Sequence, residues 1–196
     1  MRIVGGKCGG RRFSGPTSDK TRPTSDRVRE ALASILDSRD AITNACVLDL
    51  YAGTGGLAFE MLSRGAKEAV CVESESRMCK IIADNSRELG LPVRVVRATL
   101  APKPGGDSLF EQIRREQSQP ATLVFADPPY DIASQSIELL LVLKKKGVVA
   151  HDAMLVVEHA TREPLVIEEE HALSIVAQYR YGDTSVTLLA FDEGSS

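Results

Sequence analysis

The chain has 196 residues, 43% of them hydrophobic, and a formal net charge of −3, which suits one domain with a substantial core. No apolar run approaches the length of a membrane span, and the first residues lack the apolar segment of a signal peptide. Four cysteines without CxxC spacing and three scattered histidines predict a reduced, cytoplasmic protein without disulfides or a metal site.

The positive charge is concentrated at the start of the chain: residues 1–29 carry a net charge of +6 and the remainder carries −9. A basic segment beside an acidic body is typical of proteins that contact a polyanion, although short charged ends are often only solvated tails. Glycine pairs at 5–6 and 9–10 predict a small hairpin-like arm. We therefore divide the chain into a basic arm and loop, residues 1–24, and one domain, residues 25–196.

Apolar residues at helical spacing between Val28 and Leu36 predict a helix that begins near Pro23. Cations near the N-terminus of a helix oppose its dipole, so a phosphate or carboxylate partner explains the arginines there better than helix stability does. A solvated surface is the alternative. The candidate phosphate ligands in the arm and in this helix are Lys7, Arg11, Arg12, Arg22, Arg27 and Arg29.

A glycine-rich turn at residues 52–56 lies between a predicted buried strand, residues 46–51, and a predicted helix. Glycines let the backbone turn tightly and approach a ligand, and the helix that follows offers free N–H groups at its start. The spacing Gly53-x-Gly55-x-x-Ala58 also fits the dinucleotide fingerprint. The turn therefore predicts a ligand-binding loop.

Glu73 follows Gly53 by twenty residues, at the end of a predicted strand, where a carboxylate accepts the hydroxyls of a bound ribose. Strand, turn, helix and acid together predict a nucleoside-type cofactor, and NAD is one alternative. Asp49, just before the turn, favours a cofactor that carries an ammonium group, because an acid there would repel a pyrophosphate.

The alternation of helix and strand continues along the chain and then changes to two consecutive strands around Gly182 and Asp183. Further helices are predicted over residues 75–89 and around residues 109–113 and 137–141, and further strands over residues 69–72, 92–96, 122–126, 154–158, 174–179 and 185–191. This order predicts an α/β, Rossmann-like, doubly wound and mostly parallel seven-stranded sheet with a C-terminal antiparallel hairpin.

Asp127, Pro128, Pro129 and Tyr130 directly follow the strand predicted over residues 122–126. Two prolines cannot continue a strand ladder, because they have no N–H, so the chain leaves the sheet in a stiff turn at the carboxyl end of a strand. Ligands of open α/β sheets bind at that end. The turn offers a carboxylate, carbonyl oxygens and an aromatic ring, which suit a planar group with an exocyclic amine; a plain loop that leads into a helix cap is the alternative.

Residues 49–55 (Asp-Leu-Tyr-Ala-Gly-Thr-Gly) and 127–130 (Asp-Pro-Pro-Tyr) together resemble the class I S-adenosylmethionine-dependent methyltransferases that modify exocyclic amines. The opening of the chain is more specific and is similar to the bacterial 16S rRNA guanine-N2 methyltransferases of the RsmD type. This second resemblance spans essentially the whole chain. The residues that carry it are 2–7, 10–12, 22–30, 62–66 and 181–184.

The resemblance implies S-adenosylmethionine as the cofactor. It also implies a partner, 16S rRNA within a small ribosomal subunit or an assembly intermediate of that subunit. It assigns Asp49, Tyr51, Gly53 and Gly55 to the methionine end of the cofactor and Glu73 to its ribose. We expect a monomer that associates with no membrane and holds no metal.

The resemblance further assigns Asp127 and the carbonyl of Pro128 to the guanine amine, and Tyr130 to stacking on the base. It places residues 22–29 over the cofactor and RNA pocket. Where relatives often have Asp or Asn near the adenine, this chain has Thr99, a weaker substitute. The loop over residues 101–106 is atypical of the family.

Three alternatives stay open at this point. A DNA adenine-N6 methyltransferase shares the Asp-Pro-Pro-Tyr motif but usually needs an additional target-recognition domain, for which this chain has no room. A nicotinamide oxidoreductase would use the glycine turn and would have no need for residues 127–130. A non-catalytic RNA-binding module or ribosome assembly factor would need only the basic arm.

Overall fold

The computed structural model describes residues 1–15, 26–100, 107–129 and 135–192, and a single sheet forms its centre. The strands are β1 (Cys46–Leu50), β2 (Glu68–Glu73), β3 (Val93–Arg97), β4 (Ala121–Ala126), β5 (Val149–Ala160), β6 (Leu173–Tyr181) and β7 (Thr184–Phe191). Their order across the sheet is β3-β2-β1-β4-β5-β7-β6. Neighbours from β3 to β5 pair in parallel, and β7 pairs antiparallel with β5 and β6. The predicted Rossmann-like sheet with its antiparallel C-terminal hairpin is confirmed.

Helices cover both faces of this sheet. They are α1 (Asp26–Asp37), α2 (Gly56–Ser63), α3 (Ser76–Leu89), α4 (Ser108–Glu116) and α5 (Gln135–Lys145). Phe110 and Leu140 pack α4 and α5 on one face, and Leu36, Phe59 and Ile82 pack α1, α2 and α3 on the other. Two covered faces explain why the central parallel strands are almost continuously apolar. None of the helices in the described ranges is both long and apolar enough to cross a membrane.

The first fifteen residues form the predicted hairpin-like segment, which the N–H groups of Ile3 and Gly10 close through hydrogen bonds of 3.0 and 2.9 Å. The segment packs on the body, because Ile3, Cys8 and Phe13 are buried in the cluster beneath α1, α2 and α3. Residues 1–15 therefore share a core with the rest of the chain. Residues 16–24, the second part of the predicted arm and loop, lie outside the described residues.

Strand β5 is longer than its sequence pattern predicts, since the sequence indicates only residues 154–158. Its pairing with β4 shifts register between Ala121 and Leu123, and His151 and Asp152 are exposed at the start of the strand. A register shift with polar residues beside it interrupts the apolar pattern on which strand prediction depends. The length of β5 therefore follows from its pairing with β4 and not from its own composition.

Candidate active site

Three neighbouring strands end at the same edge of the sheet. Leu50, the last residue of β1, pairs with Val72 of β2 and with Ala126 of β4. The glycine-rich turn after β1 therefore lies between Glu73 and Asp127, which come next on the two flanking strands. The two sequence motifs, separated by more than seventy residues, meet at this edge.

Asp49, Glu73 and Asp127 also lie on one face of the sheet. Asp49 pairs with Cys71 and Phe125, and both of these belong to the cluster beneath α1, α2 and α3. Side chains two positions apart in a strand point to the same face, which puts Glu73 and Asp127 on that face as well. The site therefore has three carboxyl groups on one side of one edge.

Asp49 is 3% exposed, and its carboxylate accepts a hydrogen bond from the N–H of Ala58 at 3.3 Å. Burial raises the pKa of Asp49 well above its usual range, and the charges of Asp127 and Glu73 raise that pKa further. A cation placed beside such a group favours its ionised form. The site is therefore suited to a ligand that carries an ammonium or sulfonium group.

The glycine-rich turn depends on backbone conformations that most side chains disfavour. Tyr51, Gly53 and Gly55 have φ angles of 60°, 54° and 75°, all in the left-handed region. A Cβ at Gly55 would lie 3.1 Å from the ring of Phe59. The N–H of Gly53 donates to Glu73 Oε2 at 2.8 Å, so the predicted ribose ligand also holds the turn in place.

Glu73 keeps capacity for a ligand after these structural bonds are counted. Its Oε1 atom accepts the N–H of Glu75 at 2.8 Å and the hydroxyl of Ser74 at 3.2 Å. With the bond to Gly53, three of the carboxylate's about four lone-pair positions are used. Tyr51 differs from the other turn residues, because its ring packs toward the face covered by α4 and α5. Burial raises the pKa of the Tyr51 hydroxyl.

Burial raises the pKa of Asp127 from its usual 3.8 to about 6. Strand β4 ends at Ala126, and Pro129 is exposed, so the chain leaves the sheet at this turn, as predicted. Tyr130 lies outside the described residues. A small recess lies beside Asp127, and its walls are Leu32, Leu57, Phe125, Ala126, Asp127, Val156, Glu158 and Val186.

Thr99, the predicted adenine contact, is exposed just after β3. The N–H of the preceding residue, Ala98, donates to the carbonyl of Glu73 at 3.0 Å. This bond holds the end of β3 against the end of β2, so Thr99 lies at the same edge of the sheet as the glycine-rich turn, beyond β2. Its contact with a cofactor stays a prediction, and the loop over residues 101–106 lies outside the described residues.

Among the predicted phosphate ligands, Lys7, Arg12 and Arg27 are exposed, and Arg22 lies outside the described residues. Arg11 is exposed too, but its guanidinium donates to carbonyl oxygens at the end of α3, at 2.9 and 2.6 Å. Such bonds satisfy carbonyls that a helix end leaves without an intrahelical donor. Arg11 therefore already has a structural role.

Arg29 does not fit the predicted set of RNA contacts, because its side chain is only 2% exposed. Its guanidinium donates to the carbonyl of Arg2 at 2.7 Å and to Asp26 Oδ1 at 2.8 Å. It therefore ties α1 to the first residues of the chain, and burial corrects the interpretation of Arg29 as a surface ligand. Helix-dipole considerations do not indicate this partner, because the negative charge comes from a carboxylate three residues away and from the carbonyl of a residue distant in the chain.

Two carboxylates with defined places in the structure were not singled out from the sequence. Glu60 of α2 is fully buried and accepts the N–H groups of Val4 and Gly5 at 2.8 Å each. Glu158 lies near the end of β5 and lines the recess beside Asp127. An acid at the end of an apolar run, the pattern that marks Asp127, also marks Glu158 and was the available signal.

Residues 1–190 match the family model described as conserved hypothetical protein 95. This chain belongs to that family. Ribosomal RNA small subunit methyltransferase D of Escherichia coli K12 is 32% identical over 161 residues, which is 81% of this chain and 74% of the relative. The Haemophilus influenzae protein of the same name is 30% identical and covers 88% of this chain and 86% of its own length. The resemblance to the RsmD type is confirmed.

Solved structures agree with the family's fold. A hypothetical protein of Thermus thermophilus is 28% identical, with a TM-score of 0.74, and the match covers 97% of this chain and 99% of that one. An S-adenosylmethionine-dependent methyltransferase of Clostridium acetobutylicum has a TM-score of 0.60 at 10% identity, with 84% and 90% of the two chains covered. The second likeness is one of fold alone.

Proposed function

We propose that this chain transfers a methyl group from S-adenosylmethionine to the exocyclic N2 of a guanine in 16S rRNA. The observation that carries the proposal is the position of Asp127, which stands beside the glycine-rich turn at the carboxyl edge of the sheet. Relatives named as small-subunit rRNA methyltransferases support the reaction class.

The residues present fit a cationic nucleoside cofactor. Asp49 is buried with a raised pKa, and a positive charge beside it would favour its ionised form. The left-handed backbone of the turn between Tyr51 and Gly55 lets a ligand approach the main chain closely. We assign Asp49, Tyr51, Gly53 and Gly55 to the methionine end, Glu73 to the ribose and Thr99 to the adenine edge. When bound, S-adenosylmethionine supplies a methyl group on a sulfonium, which is already activated for transfer.

The chain itself has to position a weak nucleophile. The lone pair of guanine N2 is delocalised into the ring, and Asp127 with the Pro128 carbonyl would accept its two N–H bonds and direct that lone pair. Alignment of this kind can lower a barrier by about 7–11 kcal/mol, whereas one hydrogen bond to a charged group contributes about 1.5–3 kcal/mol. Positioning therefore dominates, and we assign stacking on the flipped base to Tyr130.

For the RNA contact we propose Lys7, Arg12 and Arg27, which are exposed, together with Arg22 and Arg11. The hairpin-like segment that carries Lys7 and Arg12 touches the glycine-rich turn, where the Thr54 hydroxyl lies 3.2 Å from Met1 Sδ. Arg12 pairs with Arg2 close to this contact, so this cation belongs to the same end of the molecule as the site, which suits a phosphate backbone that delivers a base to it. Lys7 lies farther from the site, because the N–H of the neighbouring Cys8 donates to Ser63 at the C-terminal end of α2.

The test is radiolabelled methyl transfer from S-adenosylmethionine to small ribosomal subunits from cells that lack this protein, followed by nucleoside analysis. We expect N2-methylguanosine in 16S rRNA. Label in N6-methyladenine of a DNA substrate would favour the DNA methyltransferase instead. RNA binding without transfer to either nucleic acid would mean a non-catalytic assembly factor.

A further inference from the structure

Strand β5 brings a second carboxylate to the site. Ala126 of β4 pairs with Val157 of β5, so the next residues, Asp127 and Glu158, stand side by side on neighbouring parallel strands. Phe125 and Val156 also pair, and both belong to the cluster beneath α1, α2 and α3. Because alternate residues share a face, Asp127 and Glu158 lie on that same face.

The two carboxylates share the recess beside Asp127 with apolar neighbours. The other walls include Leu32, Leu57 and Val186, apolar side chains that offer a base no hydrogen-bond partners. In such surroundings an unpaired polar group of a ligand loses its bonds to water without compensation. The two acids would therefore decide which base edge is accepted.

We propose that Glu158 is a specificity-determining residue that accepts the N1–H of the target guanine, while Asp127 accepts its N2 amine. This inference rests on the proposed function. Guanine presents two adjacent donors on this edge, at N1 and N2, and two neighbouring carboxylates match them. Adenine has an unprotonated N1, whose lone pair would face the carboxylate of Glu158, so adenine is rejected.

The test uses a base that keeps the 2-amine and lacks the N1 hydrogen. Small-subunit rRNA is prepared with 2-aminopurine at the guanine that the transfer assay identifies, and kcat/KM is compared with that of the guanine substrate. A site built to hydrogen-bond an N–H rejects an analogue that lacks it by several orders of magnitude in favourable cases. We expect wild-type protein to prefer guanine by about a hundredfold or more.

The decisive variant is Glu158→Gln, whose amide can donate to the unprotonated N1 of 2-aminopurine. We expect the ratio of kcat/KM for guanine to that for 2-aminopurine to fall by about tenfold or more, with the dissociation constant of S-adenosylmethionine unchanged. Glu163→Gln, an exposed acid that pairs with Arg162, serves as the control and should leave the ratio at its wild-type value.

Two failures can be told apart. If wild-type protein methylates guanine N2 and Glu158→Gln lowers both substrates equally, Glu158 is structural and only this inference is overturned. If wild-type protein transfers no methyl group to guanine, the proposed function itself is overturned.

Discussion

Asp127 combines a place in the site with a perturbed electrostatic state. Its carboxyl is buried enough for the pKa to rise to about 6, and its charge also raises the pKa of Asp49. A carboxyl whose pKa is raised toward neutral pH is typical of a site that binds a cationic or hydrogen-bond-donating ligand. The state of Asp127 therefore leads to one prediction about catalysis and one about stability.

Asp127→Ala should lower kcat on small subunits by about a hundredfold or more, because the guanine amine loses the acceptor that aligns it. The affinity for S-adenosylmethionine should stay close to that of the wild type, as measured by calorimetry. Asp152→Ala removes an exposed acid from the far part of β5 and is the matched control. Unchanged turnover in Asp127→Ala would exclude the proposed role.

Asp127→Asn should change how stability depends on pH. Between about pH 3.8 and pH 6 the folded protein holds a proton on Asp127 that the unfolded chain has released, so stability falls as pH rises through this window. A shift of this size corresponds to about 3 kcal/mol. The amide of the Asp127→Asn variant does not titrate, so the stability of this variant should not fall through that pH window.

Urea unfolding of both proteins from pH 3.5 to pH 7.5 measures this effect. The free energies of unfolding should be similar at the acid end and should separate by up to about 3 kcal/mol at neutral pH, with Asp127→Asn the more stable. Curves that run parallel over the whole range would contradict the raised pKa.

At the scale of elements, α2 connects the hairpin-like segment to the glycine-rich turn. Glu60 accepts the N–H groups of Val4 and Gly5 and pairs with Arg64 Nε at 2.8 Å, and the N-terminus of the same helix follows Gly55. A displacement of the segment would therefore reach the cofactor turn through a single short helix. This coupling joins the basic surface to the site.

Glu60→Ala should destabilise the protein by about 3–5 kcal/mol, because removal of one partner leaves a largely buried guanidinium and two N–H groups without their acceptor. Urea unfolding measures the loss, and hydrogen exchange should speed up first in residues 1–15. Glu30→Ala, an exposed acid on α1, is the control. Unaltered exchange in residues 1–15 would mean that apolar packing alone holds the segment.

Many of the helices, strands and turns could be predicted from the sequence. The glycine-rich turn, the helix that ends at Gly90 and the hairpin around Gly182 were all placed correctly, since glycine at positive φ is a local requirement. The extent of β5 could not be predicted, and neither could the burial of Arg29, because both depend on partners far away in the chain.

At the scale of the whole molecule, charge is divided between two surfaces. Exposed cations such as Lys7 and Arg12 lie on the hairpin-like segment, whose Met1 end touches the glycine-rich turn, while carboxylates fill the site itself. The cations suit phosphates and the acids suit a cationic cofactor and base N–H groups. This division lets an acidic pocket serve a polyanionic substrate.

Replacing Lys7 and Arg12 together by alanine should weaken RNA binding and reduce the slope of log K against log salt by about 1.4–1.8, the value for two lost phosphate contacts. Filter binding to small-subunit rRNA over a range of salt concentrations measures it. Lys145→Ala, an exposed cation at the end of α5 on the other face of the sheet, is the control. A slope equal to the wild-type value would mean that neither cation touches phosphate.

By itself the sequence determined the order of strands, turns and helices and the two motifs of the site, because apolar periodicity, glycine and proline act on the chain locally. Only the tertiary structure decided which acids share a face. Register between strands and the burial of each side chain come from contacts between distant residues. These contacts place Glu158 next to Asp127 beside the recess. They also bury Glu60 and Arg29, whose hydrogen bonds hold the first residues of the chain to α2 and α1.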